Sequence, residues 1–303
     1  MNVQCRPNHD LLVASGEIVL FASDMTVRVG GDVRLVDLQK KLAVVNQWLA
    51  VDGDENRSIA ELVSINSTGP LRLGFGGWRD VLLGCQFTNH AGELITAGGR
   101  AVKNVAGYDL TKVMVGQGGE LGVIQNITVR TYQLPAGSLL LQMPVSQAAV
   151  NEFISGAMRA QWLLQVDQTL NAGFLGDSLA LDYYEREAGG FVGVQRQRLS
   201  LQQDSLLRAN LFQWPGRPDR SGAFRVSVPP MQIAEFMKST EPGWAADPAF
   251  GIVVGYSTDL ERIRAAARAV DGKLIESTPD PKQLNLLRNL KQAFGFQQAN
   301  GER

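Results

Sequence analysis

The sequence predicts an α+β protein of two domains, on three observations. Short strands and helices interleave along all 303 residues without the strict strand–helix alternation of a parallel sheet. Glycines crowd the stretch between about residues 52 and 122. The run Leu134-Pro135-Ala136-Gly137 ends one strand pattern and precedes another, which divides the chain into 1–134 and 135–303.

In the first domain, residues 18–21 and 26–29 read as short strands. Leu35, Leu38, Leu42 and Val45 recur at helical spacing and predict a helix over 34–45, with Asp32 as its N-cap. A short helix is expected at 59–65. Residues 80–88 read as a strand, 89–92 as a turn and 93–96 as a returning strand. A helix over 108–115 ends at Gly116, and 121–132 is a long strand with alternation at Val123, Gln125, Ile127 and Val129.

In the second domain the pieces run strand 139–145, helix 147–160, strand 179–184, strand 224–228, helix 231–239 and strand 251–256. A helix at 260–270 and a strand at 273–276 follow. A loop spans 214–222, and an amphipathic helix at 284–294 ends the chain. This order suits helices layered on an antiparallel sheet.

Charge and composition exclude several functions. Lys plus Arg number 29 against 30 for Asp plus Glu, so no field attracts nucleic acid. No apolar run approaches the length of a membrane span, so no membrane insertion is expected. The first residues lack the apolar core of a signal peptide, which points to the cytoplasm. Cys5 and Cys85 are too few for four-thiolate iron–sulfur ligation, and Cys85, in a strand, reads as a small buried hydrophobe.

The chemistry concentrates between Gly98 and Gly122. Gly98-Gly99 follows a strand; Lys103, Asn104, Gly107, Tyr108 and Asp109 come next, then Gly116, Gly118, Gly119 and Gly122. Dense glycine between a helix and a strand lets backbone approach a ligand and present N–H groups to a phosphate or flavin edge. The same glycines also serve as a helix cap and bulges, and spacing alone leaves both readings open. The dinucleotide-binding fingerprint is absent, because helix precedes strand here and position 121 is Leu. No G-x-x-x-x-G-K-[ST] phosphate loop occurs.

The run Lys103-Asn104-Val105-Ala106-Gly107-Tyr108-Asp109-Leu110 resembles the K-N-V-A-G-Y-D-L signature of the FAD-linked oxidases related to vanillyl-alcohol oxidase. Gly116 to Gly122 looks like that family's G-S-x-G-T-L-G loop. Asn46-Gln47-Trp48-Leu49 is similar to its G-Q-W-L-P turn. Ser67-Thr68-Gly69-Pro70-Leu71-Arg72 and Gly76-Gly77-Trp78-Arg79-Asp80-Val81-Leu82-Leu83-Gly84 resemble S-G-P-x-R and G-x-x-R-D-x-V-L-G. The match is good over about residues 24–134, and within the family it looks most like the small flavin subunits of glycolate oxidases.

The resemblance implies an α+β chain: a two-lobed FAD-binding domain, then a ferredoxin-like cap. It implies FAD as cofactor and a 2-hydroxy acid as substrate of a complex with a larger FAD-linked oxidase subunit and an iron–sulfur subunit. Ser67, Thr68 and Gly69, with the loop containing Gly76, Arg79 and Asp80, are expected near the flavin and pyrophosphate. Lys103, Gly107 and Tyr108 are expected beside the same cleft, and Gly122 and Val123 near the adenosine end.

Departures from the family bear on this. Nothing like P-x-G-x-G-T precedes Asp24, so the FAD domain is expected to be shortened at its N-terminus. Ala60 and Glu61 stand where the family has paired glycines, and a Glu there brings negative charge towards phosphates. Gln117, Gly118 and Glu120 alter the later loop. Catalytic 2-hydroxy-acid dehydrogenases of the family use a histidine-rich metal site in the cap. The only histidines here are His9 and His90, so no metal site is expected and substrate oxidation is assigned to a partner. Any membrane association would then come through partner subunits. Tyr183 and Tyr184 read as a strand end running into a charged loop. Trp162, Trp214 and Trp244 read as packing residues. Arg225 and Arg288 suit either bidentate carboxylate binding or surface ion pairs.

Overall fold

The computed structural model describes residues 16–99, 110–212, 223–240 and 243–275. They fall into two compact units: 16–67 with 77–134, and 68–76 with 135–275.

In the first unit, β1 (Ile18–Phe21), β2 (Thr26–Gly30), α1 (Leu35–Ala43), β3 (Gln47–Trp48) and α2 (Ile59–Ser64) come first in the chain. A short helix, α3 (Arg72–Phe75), belongs to the other unit. Then come α4 (Trp78–Val81), β4 (Leu82–Thr88), β5 (Leu94–Gly98), α5 (Leu110–Val113), β6 (Val123–Arg130) and β7 (Tyr132–Gln133). The five-stranded sheet has the order β1-β2-β6-β4-β5, antiparallel throughout. Val27, Val29, Ile127 and Val129 pack with Leu35, Leu38 and Leu42 of α1 and with Ile59, Leu62 and Val63 of α2. Cys85 is buried in that core, as the strand pattern predicts.

Two local expectations need correction. Asp32 does not cap α1; Arg34 is the N-cap without a side-chain bond, and Asp32 accepts the Gly16 N–H at 2.9 Å instead. The strand expected from residue 80 starts at Leu82, because Asp80 accepts the Gly77 N–H at 2.8 Å and closes one helical turn first.

The second unit is a tandem pair. Its first half is β8 (Gly137–Pro144), α6 (Gln147–Ser155), β9 (Trp162–Val166), β10 (Thr169–Gly176), α7 (Ser178–Glu187) and β11 (Gln195–Leu199). After α8 (Leu201–Leu211) come β12 (Ala223–Ser227), α9 (Ile233–Met237), β13 (Ala245–Asp247), β14 (Ile252–Tyr256), α10 (Leu260–Ala269) and β15 (Lys273–Leu274). The sheet order β11-β8-β10-β9-β13-β14-β12-β15 resolves into two βαββαβ sets. In each, the fourth, first, third and second strands lie side by side, and the sets join where β9 pairs β13. The α+β class therefore stands, and the ferredoxin-like arrangement occurs twice.

The sequence reading assembled one such set from pieces of both. It missed β9 and β10 because their joining turn, Val166-Asp167-Gln168, lacks glycine; Asp167 itself takes the left-handed conformation, φ +48°. Residues 179–184 are helix, not strand. Asp177 accepts the Ala180 N–H at 2.8 Å and starts α7, which buries Leu181 and leaves Leu179 exposed. Tyr184 packs on Phe174, with ring centroids 4.6 Å apart. The terminal helix, Trp214 and Arg288 lie outside the described residues.

Helix α8 escaped the periodicity because its buried residues are charged. Asp204 accepts the Trp162 Nε1–H at 3.0 Å and the Arg208 Nε–H at 2.9 Å, and Asp204 and Arg208 are both buried. Gly173 makes room for the indole, since a Cβ there would lie 1.9 Å from Trp162 Nε1. Removing one partner of a buried pair strands the other charge. Asp204→Ala should therefore cost about 3–5 kcal/mol by chemical denaturation. A loss below about 1 kcal/mol, the range of exposed pairs, would contradict this account.

Candidate functional site

In the first unit, the segment between α5 and β6 is the most glycine-rich described. Gly116 and Gly118 donate their N–H groups to the Val63 and Ser64 carbonyls at the end of α2, each at 2.9 Å. Gln117 is buried and fastens the loop from inside. Its Nε2 donates to Ser64 Oγ at 3.3 Å and Gly122 O at 3.1 Å, and its Oε1 accepts the Leu121 N–H at 2.8 Å. His90, exposed in the turn before β5, sets Nε2 3.1 Å from the Glu120 carbonyl.

The glycines divide into two kinds. At Gly122, φ is +143° and a Cβ would sit 2.4 Å from the Thr88 carbonyl oxygen, so the fold itself requires glycine there. At Gly119, φ is +85° and a Cβ would meet nothing within 4 Å. No hydrogen bond engages Gly119 among the described residues. This backbone is open on its outer side, as a surface that receives a ligand is. Beside it in sequence, Gly122 is buried and Val123 is 66% exposed.

Around α4 the expected site residues hold the chain in place. Ser67 Oγ donates to the Asp52 carbonyl at 3.4 Å. Arg79 and Asp80 are exposed; the Asp80 carboxylate caps Gly77, and the Arg79 and Leu82 carbonyls accept from Lys112 Nζ. Trp78 is fully buried, and its Nε1–H has no hydrogen-bond partner among the described residues. An unmet buried donor of this kind is costly unless a further group completes it.

Glu61 stands at a position where the sequence reading brought charge towards phosphates. In the structure it closes a capping box on α2: its carboxylate accepts from Ser58 N and Oγ at 3.0 and 3.1 Å, while Ser58 Oγ accepts the Glu61 N–H. The Ser-x-x-Glu spacing announces this motif in the sequence.

The second unit contains a charge cluster. Thr68 and α3 belong to it, so the two units divide at the Ser67–Thr68 bond. Gly69 is buried, and its carbonyl accepts the Arg72 N–H at 3.1 Å. Gly76 closes α3 with φ +81°. Arg225 of β12 donates from Nη2 to Thr68 Oγ1 at 3.3 Å, while its buried Nε has no partner among the described residues. The exposed Arg72 guanidinium lies 4.3 Å from the Phe250 ring centroid. Asp247, at the end of β13, is buried and accepts from Ala249 N and Phe250 N at 3.0 and 3.3 Å. Burial pushes its carboxyl up to about 7, against those two N–H bonds and the Arg72 and Arg225 charges. Burial also lowers Arg225, opposed by Asp247 and assisted by the like charge of Arg72.

Of the expected site residues, the described structure holds Ser67, Arg79, Asp80, Gly122 and Val123 in the first unit and Thr68, Gly69 and Gly76 in the second. Lys103, Gly107 and Tyr108 lie outside the described residues. Sequence reasoning missed Gln117 as the loop's fastener, and missed Arg72 and Asp247 as companions of Arg225. Nothing in their spacing announces the cluster, because α3, β12 and β13 are distant in the chain. Among the described residues no helix is long and apolar enough to cross a membrane, and no three His, Cys, Asp or Glu side chains gather as metal ligands.

No family model matches this chain. It is 35% identical over 145 residues to the glycolate oxidase subunit GlcE of Escherichia coli, covering 46% of this chain and 39% of that one. It is 30% identical over 121 residues to the mitochondrial D-lactate dehydrogenase [cytochrome] of Arabidopsis thaliana, covering 40% and 21%. It is 37% identical over 73 residues to the glycolate oxidase subunit GlcD of Bacillus subtilis, covering 24% and 16%. The chain thus spans well under half the length of these relatives. A solved alkyldihydroxyacetonephosphate synthase superposes with a TM-score of 0.61 over 92% of this chain and 64% of that one; at 13% identity it shares the α+β fold alone. Motifs, fold and relatives agree in likeness: the chain is similar to FAD-linked oxidases over the part it shares with them.

Proposed function

We propose that this chain is an FAD-binding subunit of a glycolate or related 2-hydroxy-acid oxidase complex. The observation that carries the reading is the open backbone at Gly119, in a loop fastened by Gln117 and followed by exposed Val123. The similarity to GlcE supports it. The residues present fit such a cofactor. The loop offers glycine backbone without side-chain obstruction, and Trp78 keeps a buried donor unmet. Ser67, Thr68, Gly69, Gly76, Arg79, Asp80, Lys103, Gly107, Tyr108, Gly122 and Val123 form the proposed binding set, with 1–134 as the cofactor domain and 135–303 as the cap. Bound FAD supplies two-electron acceptance from the α-carbon of a hydroxy acid, or relay of those electrons. The chain's own residues hold and shield it.

With two cysteines in all, the chain has too few thiolates for a four-cysteine cluster, and its two histidines both precede the cap. We assign the iron–sulfur relay and substrate oxidation to partners: an iron–sulfur subunit and a larger FAD-linked subunit, in a cytoplasmic complex that meets a membrane only through them. A flavin-free scaffold in the same complex is the second reading. Glu61 favours it, since its carboxylate takes the N-cap Ser58 N–H at the start of α2, while its own N–H is taken by Ser58 Oγ, at a position where the family has glycine.

Titration with FAD, followed by flavin fluorescence, separates the two. Wild type should quench saturably. Gly119→Ala should weaken binding by about tenfold with little loss of stability, because its Cβ enters open space at a left-handed cost of about 1 kcal/mol. Unchanged affinity in Gly119→Ala would move the site elsewhere. Glu61→Gly should lower stability by about 1–2 kcal/mol through loss of the cap and a helical glycine. If neither wild type nor Glu61→Gly quenches while circular dichroism reports folded chains, the scaffold reading stands. Affinity purification of a tagged chain should recover the larger flavoprotein and an iron–sulfur subunit. Full glycolate oxidation by the isolated monomer would overturn the subunit role.

A further inference from the structure

We propose that Thr68, Arg72 and Arg225 form a carboxylate-binding subsite in the second unit, and that Asp247 sets its pH dependence. A guanidinium removed from water ordinarily engages a carboxylate or an equivalent acceptor. Among the described residues Arg225 has only the Thr68 hydroxyl as a hydrogen-bond partner, at 3.3 Å, and its buried Nε has none. Asp247 is the nearby carboxylate, yet no ion pair joins it to Arg225 or Arg72 among the described residues; its Oδ1 is committed to the Ala249 and Phe250 N–H groups. The Asp204–Arg208 pair of the same unit shows the closed alternative, with contact at 2.9 Å. Arg72 is exposed, with its guanidinium 4.3 Å from the Phe250 ring centroid, so the cluster pairs a solvent-facing cation with the half-buried Arg225, whose charge Arg72 opposes.

Two guanidiniums with one hydroxyl donor match the planar, bidentate geometry of a carboxylate. The charged groups acting on Asp247 are Arg72 on α3 and Arg225 on β12. Protonated, Asp247 leaves both arginines to an incoming anion. Ionised, it competes with that anion. Carboxylate affinity therefore falls as pH rises through about 7, where Asp247 ionises. The choice of glycolate as ligand rests on the proposed hydroxy-acid function. Carboxylate binding itself is read without any flavin signal, so the two readings fail separately.

The test is calorimetric titration of the full chain with sodium glycolate, with acetate and inorganic phosphate as comparisons, at about pH 6 and about pH 8. Glycolate and acetate should bind saturably, more tightly at the lower pH by about tenfold. Asp247→Asn keeps an oxygen for the two N–H groups and should bind at the higher pH as tightly as wild type does at the lower. Arg225→Met should abolish binding while leaving Tm unchanged or raised, because it removes a half-buried charge that has no ion partner among the described residues. A role confined to structure predicts the reverse, a lowered Tm with unaltered binding, and that result would overturn the proposal. So would phosphate binding more tightly than either carboxylate, absence of saturable carboxylate binding at both pH values, or an unaltered pH dependence in Asp247→Asn.

Discussion

The second unit depends on one ladder, the antiparallel pairing of β9 with β13 through Ala245–Val166 and Ala246–Gln165. Without it each βαββαβ set would leave its second strand as an open edge, a row of unpaired N–H and C=O groups next to a buried apolar face. The ladder turns two four-stranded sheets into one of eight strands. Its outer edges are then β11, whose Gln195-Arg196-Gln197-Arg198 are exposed, and the two-residue β15. Charge on one edge and brevity on the other both discourage further pairing. The same ladder fixes β13, whose last residue is Asp247, two strands from Arg225 on β12.

The two halves of that unit resolve the same problem in opposite ways. Each buries charge. In the first, Asp204 meets both Arg208 and the Trp162 indole, so its carboxylate is satisfied on both oxygens and the group acts as structure. In the second, Asp247 turns one oxygen to its own turn and Arg225 is left with a hydroxyl. Folding energy alone selects the first solution, since a half-buried cation whose buried Nε is unmet among the described residues destabilises by the desolvation of that group. Retention of the second is the pattern expected of a site whose remaining partner arrives from outside.

Much of the fold was legible because its signals are local. The spacing of Leu35, Leu38 and Leu42 announces α1, and the apolar run around Leu139–Met143 announces β8. What escaped depends on contacts the sequence does not order. Helix α8 turns Asp204 and Arg208 inward, so its buried face reads as polar. The hairpin of β9 and β10 turns on Asp167, a left-handed residue that looks like any surface Asp. The doubling of the βαββαβ set went unseen with β9 and β10, the strands that complete its first half. At the site, the motif phrases carried the family and the glycine loop. Gln117 read as a mere departure from serine, although its amide spans the loop from Ser64 to Leu121 and Gly122.

That substitution changes how the loop is held rather than whether it is held. A serine at 117 reaches its own backbone neighbours, whereas glutamine reaches three anchors and stays buried. With Gly122 pressed against Thr88 and His90 set against the Glu120 carbonyl, the loop is fixed at both ends by groups that belong to the chain itself. The open backbone at Gly119 therefore exists before any ligand arrives. A preformed surface loses little conformational entropy on binding, which offsets part of what Glu61 withholds at the start of α2. The flavin reading thus turns on a balance between two observed features, an organised glycine loop and a helix N-terminus already capped.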